Sequence, residues 1–284
     1  MKAIYDVPAP AKLNLFLHVT GRRADGYHLI QSVFMLIDWC DTLHFELRSD
    51  GRITRADLHR HTYADIPTED LTVRAARALQ AASGTSLGVD ISLEKHIPSQ
   101  AGMGGGSSDA ASCLLALQRL WGIDLPREKL LAIALGLGAD VPFFLCGGNA
   151  WVEGVGEIIT PVDLPSADFV VVKPREGLST QAIFSSFNLK RDTETATIEG
   201  FARNGEERIF EFGRNDLQPV AEALCPEISQ SLSWLSSAGL KGRMSGSGTA
   251  VFAQLPHRLD LPAVFNGWEI RKCRNLQMHP LAGW

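Results

Sequence analysis

The sequence predicts a mixed α/β (α+β) chain in two parts, and three observations carry that expectation. Residues 11–19 alternate with a period of two, placing Leu13, Leu15, Leu17 and Val19 on one side and Lys12, Asn14, Phe16 and His18 on the other, as in a strand. Residues 71–83 and 108–121 instead repeat apolar side chains at helical spacing. Between these helices, an alternating segment at 89–95 runs into Ser-Gln-Ala-Gly-Met-Gly-Gly-Gly-Ser-Ser-Asp-Ala-Ala-Ser (99–112), a run of small residues that opens the second helix.

The elements follow in order. After the strand at 11–19 comes a connection with two glycine turn points, Gly21 and Gly26, and then strands over 31–39 and 41–47. The helix at 71–83 ends near Gly84, and the helix at 108–121 stops at Gly122. A third helix opens near Pro126 and ends around Gly136 and Gly138. Strand-like sequence spans 150–162, and a short apolar strand at 169–173 ends at Pro174. Residues 180–187 read as a helix, 190–208 as a polar surface excursion, and 218–224 and 228–238 as helices. A second glycine-rich turn at 242–248 feeds a core strand at 249–255. The boundary between the parts falls at 150–165.

Composition narrows the function. A length of 284 residues suits two modest domains or one large one, and 45% hydrophobic with 21% charged residues is the balance of a globular protein. A net charge of −5 argues against bulk nucleic-acid binding, Arg22 and Arg23 being a small local exception. No apolar run approaches the ~20 residues that cross a bilayer. The N-terminus has no secretory core, so the expected location is cytoplasmic. The five cysteines are scattered without a C-x-x-C pair and read as buried reduced thiols. Cys40 and His44 have the spacing of one helical face but lack a second ligand pair, and His59 with His61 reads as a solvated loop, so structural zinc is not expected.

The glycine run is the strongest chemical signal. Gly102, Gly104, Gly105 and Gly106 let a ligand approach the backbone closely, and a helix start offers unpaired N–H donors with a partial positive charge. Such a loop is a phosphate cradle. It lacks the lysine of a Walker A loop and fails the dinucleotide G-x-G-x-x-G spacing. The plainer alternative is a glycine turn with Ser108 as an ordinary N-cap.

Three islands stand out together: Pro-Ala-Lys-Leu-Asn-Leu at 10–15, the loop at 98–112 and the turn at 242–249. This set resembles the signature motifs of the GHMP kinases, named for galactose, homoserine, mevalonate and phosphomevalonate. One branch, acting on a polyol that carries cytidine diphosphate in non-mevalonate isoprenoid synthesis, is similar over more of the chain. That likeness runs through residues 10–28, 104–111, 138–144 and 244–249, with weaker stretches at 152–157, 173–174 and 215–217. Asp70 stands where the branch commonly has asparagine, and residues 190–208 match none of its motifs.

The resemblance implies an N-terminal domain (1–160) like the second domain of ribosomal protein S5, a C-terminal α/β sandwich (161–284) and an active site in the cleft between. It implies ATP, with Mg2+ accompanying it, and transfer of the γ-phosphate to a hydroxyl of a small molecule. Pro98, Gly102, Gly104, Gly105, Gly106, Ser107 and Ser108 then hold ATP, Ser107 or Ser108 being an indirect metal contact. No metal ligand is assigned. Asp140 and Lys12 become the catalytic carboxylate and cation. By base rates alone, Asp140 before Val141-Pro142 reads as a helix cap and Lys12 as a solvated strand lysine. Asn14, Tyr27, His28, Thr180, Phe184, Gly246 and Ser247 fall to the substrate, with Tyr27 and Phe184 stacking on the base and His28 reading its edge. Phe184 also reads as core packing. A kinase of a simpler alcohol such as mevalonate or homoserine, or a nucleotide-binding protein without chemistry, remains the alternative, and monomer and homodimer both stay open.

Overall fold

The computed structural model describes residues 1–58, 69–256, 259, 261–263 and 267–284. The alternating N-terminus forms a strand longer than its pattern, β1 (Ala3–Arg22), paired antiparallel along its length with a second long strand, β2 (His28–Arg48). The expected strands at 31–39 and 41–47 are therefore one. Next come β3 (Ile53–Asp57), α1 (Leu71–Ser83) and β4 (Gly88–Glu94). Asp70 caps α1 by accepting from the Val73 N–H at 3.1 Å, and its other oxygen takes Arg55 Nη1 at 2.8 Å. The sequence pattern does not reveal β3, whose half-exposed side chains carry little periodicity.

Helix α2 (Gly105–Trp121) begins three residues earlier than its apolar pattern, with Gly104 at its N-cap in the left-handed region. Ser108 thus lies inside the first turn rather than capping it. α3 (Arg127–Leu137), α4 (Val141–Cys146), β5 (Ala150–Gly154) and β6 (Ile158–Pro161) complete the first half. Among the described residues, β1–β6 form one six-stranded sheet. β4 pairs with β2 over 42–48 and β5 pairs with it over 30–34, so both lie along β2 at different heights.

The second half contains β7 (Asp168–Lys173), α5 (Thr180–Phe184), α6 (Ile198–Ala202), α7 (Gly205–Arg208), α8 (Gln218–Leu224), α9 (Pro226–Ser237), β8 (Arg243–Met244), β9 (Val251–Gln254) and β10 (Glu269–Arg274). Its four-stranded antiparallel sheet has the order β10-β7-β9-β8. α5 is shorter than the expected 180–187, since Ser-Ser-Phe-Asn at 185–188 is weak helix sequence and turns the chain. The expected surface excursion at 190–208 holds two short helices. Phe201, only 2% exposed, anchors it by packing on Phe16, Trp151 and Phe212.

Three hydrophobic clusters explain how β1 is used. Val7 and Ala9 face the helices of the first half, along with Phe34, Leu36, Leu114 and Leu117. Ala11, Leu13 and Leu15 face the second sheet, with Phe169, Val171 and Phe252. Odd-numbered residues change sides across the β1–β2 register shift between Pro10 and Lys12, where β1 advances two residues and β2 four. A second shift between Asn14 and Leu17 brings Phe16 into the cluster of Leu13 and Leu15, with its ring 4.8 Å from His18. The simple stripe predicted for 11–19 fails there: Phe16 does not share a face with Lys12 and Asn14. The two bulges isolate Lys12 and Asn14 on the helix side, and that re-aiming makes the site.

The third cluster fills the far side of the second sheet, under α8 and α9. Among the described residues, no helix is long and apolar enough to cross a membrane. All five cysteines are free, Cys113, Cys225 and Cys273 being buried and Cys40 and Cys146 partly exposed. Cys40 and His44 lie on strand β2, not on a helical face, while His59 and His61 lie outside the described residues. Leu117 is fully buried between α2 and the first sheet. Leu117→Ala is expected to cost about 2–5 kcal/mol in urea unfolding. A loss below about 1 kcal/mol would show that this layer is not close-packed.

Candidate active site

The side chains carried by these elements converge on one cleft of about 1630 Å³. Its floor is the glycine loop. Gly102 has φ +70° and packs so tightly that a Cβ there would stand 2.2 Å from the Ser245 carbonyl. Gly104 has φ +72°, and its Cβ would press on the Phe144 ring. The first turn of α2 follows, and its N–H groups ahead of Ser108 have no intrahelical acceptor. Pro98, Gly102, Gly104, Gly105, Gly106 and Ser107 all line this space. Ser108 does not: it is fully buried, its Oγ has no hydrogen-bond partner, and its N–H is spent on the Gly104 carbonyl at 2.9 Å.

The turn at 242–248 braces this loop from the other half of the chain. Thr249 N donates to Gln100 O at 3.0 Å, Ala250 N to Ala101 O at 3.2 Å, and Ser245 Oγ to Gly102 O at 3.0 Å. Asn215 holds the turn in place, donating to the carbonyls of Met244 and Gly246, each at 2.8 Å. The sequence likeness at 215–217 is the only local sign of that role.

Lys12 is 4% exposed, which excludes a solvated strand lysine. Its backbone N–H donates to Met103 O at 2.9 Å, tying β1 to the loop. Its Nζ lies 3.6 Å from Asp140 Oδ2, donates to Asn14 Oδ1, and sits 4.5 Å from the centre of the Phe34 ring. Burial pulls the Lys12 pKa below the ordinary lysine value, and the Asp140 charge pulls the other way. Asn14 is oriented in turn by donating to Ser32 Oγ at 2.9 Å and by the Ser245 hydroxyl, which accepts from its backbone N–H at 3.1 Å. Asp140 stands at the start of α4 but its side chain makes no capping hydrogen bond. It turns into the cleft toward Lys12 instead, so the helix-cap reading of Asp140 does not hold.

Sequence reasoning missed a buried charge cluster under the loop. Lys95 donates to Asp41 and to Asp109 Oδ2, the latter at 2.8 Å, and Asp41 also accepts from the N–H groups of His96 and Ile97. Burial raises the Asp109 pKa well above the usual carboxylate value, against the pull of Lys95. The ammonium of Lys95 stays charged: burial would lower its pKa, but Asp109 and Asp41 outweigh that and raise it. Lone charges spread over three elements leave no local motif, so no sequence pattern marks this cluster.

The far end of the cleft is aromatic. His28 lies 4.9 Å from Phe184, ring centre to ring centre, at 34°. Tyr27 is 65% exposed at the mouth, and Phe187 also lines the cleft and is fully exposed. Phe184 is only partly buried, so core packing does not account for it alone. Thr180 and Ser247 join across the cleft through their hydroxyls at 2.7 Å. Lys12, Asn14, Tyr27, His28, Asp140, Thr180, Phe184, Gly246 and Ser247 therefore all line one space, with Ser108 outside it.

Comparison with known proteins shows the family of the chain. Residues 70–148 match the model of the GHMP kinases N terminal domain, and residues 194–274 match that of the GHMP kinases C terminal. The chain is 73% identical to a 4-diphosphocytidyl-2-C-methyl-D-erythritol kinase of Polaromonas sp., covering all of this chain and 95% of the relative. It is 62% identical to the same enzyme of Acidovorax ebreus, covering all of this chain and 99% of the relative. A crystal structure of 4-(cytidine 5'-diphospho)-2C-methyl-D-erythritol kinase superposes with TM-score 0.74 at 37% identity, over 87% of this chain and 88% of that one. Homoserine kinase from Cytophaga hutchinsonii shares the fold, with TM-score 0.69 at 14% identity over 98% and 96% of the two chains. A cleft with a glycine-loop floor, matched in both halves by family models and over its whole length by such relatives, leaves one assignment: the chain belongs to the GHMP kinases, ATP-using kinases of small molecules, and among them to the 4-diphosphocytidyl-2-C-methyl-D-erythritol kinase family.

Proposed function

We propose that the protein transfers the γ-phosphoryl group of ATP to the 2-hydroxyl of 4-diphosphocytidyl-2-C-methyl-D-erythritol, giving the 2-phosphate and ADP, in non-mevalonate isoprenoid precursor synthesis. The observation that carries this reading is the Lys12–Asp140 pair at 3.6 Å, set between a glycine-loop helix start and an aromatic end in one cleft. Phosphoryl transfer needs in-line positioning and neutralisation of charge more than covalent chemistry. The N–H groups at the start of α2 grip the triphosphate, and Asp140 orients the acceptor hydroxyl and accepts its proton. Lys12 stabilises the negative charge that develops on the reacting oxygen. Asn14 fixes Lys12 and offers its remaining N–H to the substrate.

The donor set also fits Mg2+. Ser107 Oγ and the Asp140 carboxylate reach the cleft, while no three His, Cys, Asp or Glu side chains converge among the described residues. An ion held mostly by phosphates and water suits that sparse set. Ser107 would contact it alongside the phosphates, and it would neutralise the triphosphate.

Tyr27, Phe184 and His28 take the cytidine group, the rings by stacking and the histidine by hydrogen bonding. The halves 1–160 and 161–284 act as the two domains of the family, the first sheet ending at Pro161 and the second opening at Asp168. Phosphorus NMR of the protein with Mg-ATP and the cytidine substrate tests the reaction: a new phosphomonoester signal should grow with ADP. Unchanged substrate would overturn the proposal. CDP should compete with the substrate, and failure to do so would favour a simpler alcohol as acceptor.

A further inference from the structure

Arg191 lies in the stretch of sequence that matched no motif, yet its side chain reaches the aromatic end of the cleft. Its Nε donates to His28 Nε2 at 2.9 Å. Its Nη2 donates to the carbonyls of Phe184 at 2.9 Å and Ser186 at 2.7 Å, and its Nη1 to that of Leu189 at 3.0 Å. The guanidinium is thus fixed by three carbonyls at the end of α5, and its remaining edge faces the imidazole. We propose that Arg191 is a positioning residue that holds His28 in the tautomer with its proton on Nδ1, and so makes His28 a hydrogen-bond donor to the base of the substrate. This rests on the assignment of His28 to base recognition above.

The argument is one of donors and acceptors. A guanidinium carries five N–H donors, no acceptor, and a charge that it does not lose in proteins. Nε2 of His28 must therefore present a lone pair, and the single proton of the neutral ring sits on Nδ1. A protonated ring would place an N–H against the guanidinium. Burial, then the charges of Arg191 and Arg22, hold the imidazole below the ordinary histidine pKa, in keeping with a neutral ring. With Nε2 engaged, Nδ1–H is the ring donor left for a ligand.

That donor is selective. Cytosine has a lone pair at N3, where uracil has N–H. A fixed donor pairs with the first and opposes the second. Without Arg191 the ring is free to move its proton to Nε2, Nδ1 becomes an acceptor, and the preference weakens. The same guanidinium joins His28 to the Phe184 end of α5, so the stacking ring and the edge-reading ring are set as one unit.

The test uses the full chain with 15N-labelled histidine, the His28 signals being identified by their absence in His28→Gln. In the wild-type protein, two-bond proton–nitrogen correlations should place the proton on Nδ1. In Arg191→Met it should shift to Nε2, and in Arg191→Lys, which restores a donor, return to Nδ1. By calorimetry, Arg191→Met should bind CDP about tenfold more weakly, the scale of one misplaced buried hydrogen bond. It should lose preference for CDP over UDP and keep its ATP affinity, which also shows that the variant is folded. A wild-type proton on Nε2, or an Arg191→Met protein with unchanged tautomer and CDP affinity, overturns the proposal. If His28→Gln binds CDP as the wild type does, base recognition by His28 falls and this inference with it. If His28→Gln loses CDP and Arg191→Met does not, only the role of Arg191 falls.

Discussion

Asp140→Ala is expected to lower kcat by about 10²–10⁴-fold, the range for loss of a positioned proton acceptor. ATP affinity should hardly change, because the loop and the α2 N–H groups proposed to grip the phosphates do not depend on this carboxylate. Stability should hold too. Asp140 is 32% exposed and makes no capping hydrogen bond, so alanine removes neither a buried group nor a helix cap. Lys12 keeps Asn14 Oδ1 as a partner after the substitution. Steady-state turnover, calorimetric ATP binding and a urea midpoint check the three parts. Turnover near the wild-type value would remove Asp140 from the chemistry. Asp140→Asn separates charge from shape: it keeps the side chain's volume and should lose nearly as much, since an amide does not accept the proton.

Gly102→Ala is expected to lower kcat/KM for ATP by about 10²-fold, through geometry rather than charge. The added Cβ would stand 2.2 Å from the Ser245 carbonyl and 2.9 Å from Gly248 N, both backbone atoms that move only if the turn moves. The φ of +70° adds a cost of about 1–2 kcal/mol for any L side chain. Relief comes from shifting the loop off the 242–248 turn, which breaks the bond from Ser245 Oγ to Gly102 O. A displacement of about 1 Å in a positioning element can cost about 10²-fold. Gly122→Ala is the control. That glycine also has positive φ, +65°, but a Cβ added there would meet nothing within 4 Å, and it ends α2 far from the loop start. It should cost stability alone. ATP kinetics of Gly102→Ala within twofold of wild type would show that the loop tolerates displacement.

Much of the site was legible because its chemistry is local. A phosphate cradle needs consecutive small residues ahead of a helix, and that run is written in the chain at 102–108. Helices 71–83 and 218–224 match their elements to the residue, since amphipathic spacing is a short-range property. Other parts were not legible. β10 and β3 are edge strands with exposed side chains and weak alternation. Phe16 left the predicted face because a register shift depends on the partner strand, not on the strand's own pattern. The resemblance implies Ser108 as a phosphate contact, but the helix begins earlier than its apolar pattern and turns that hydroxyl inward.

The sequence by itself determined the α/β class, the glycine loop, the elements that carry the cleft residues and, through the order of its motifs, the kinase family. Spacing along one chain suffices for these, because period, turn residues and loop composition act within a dozen residues. Only the tertiary structure decided that Lys12 meets Asp140, that Lys95 lies between two buried carboxylates, and that Arg191 closes on His28. Each of these is a contact between distant segments. Its strength comes from burial and from a hydrogen-bond geometry that bulges, sheet register and helix starts set, and no local run of residues encodes them.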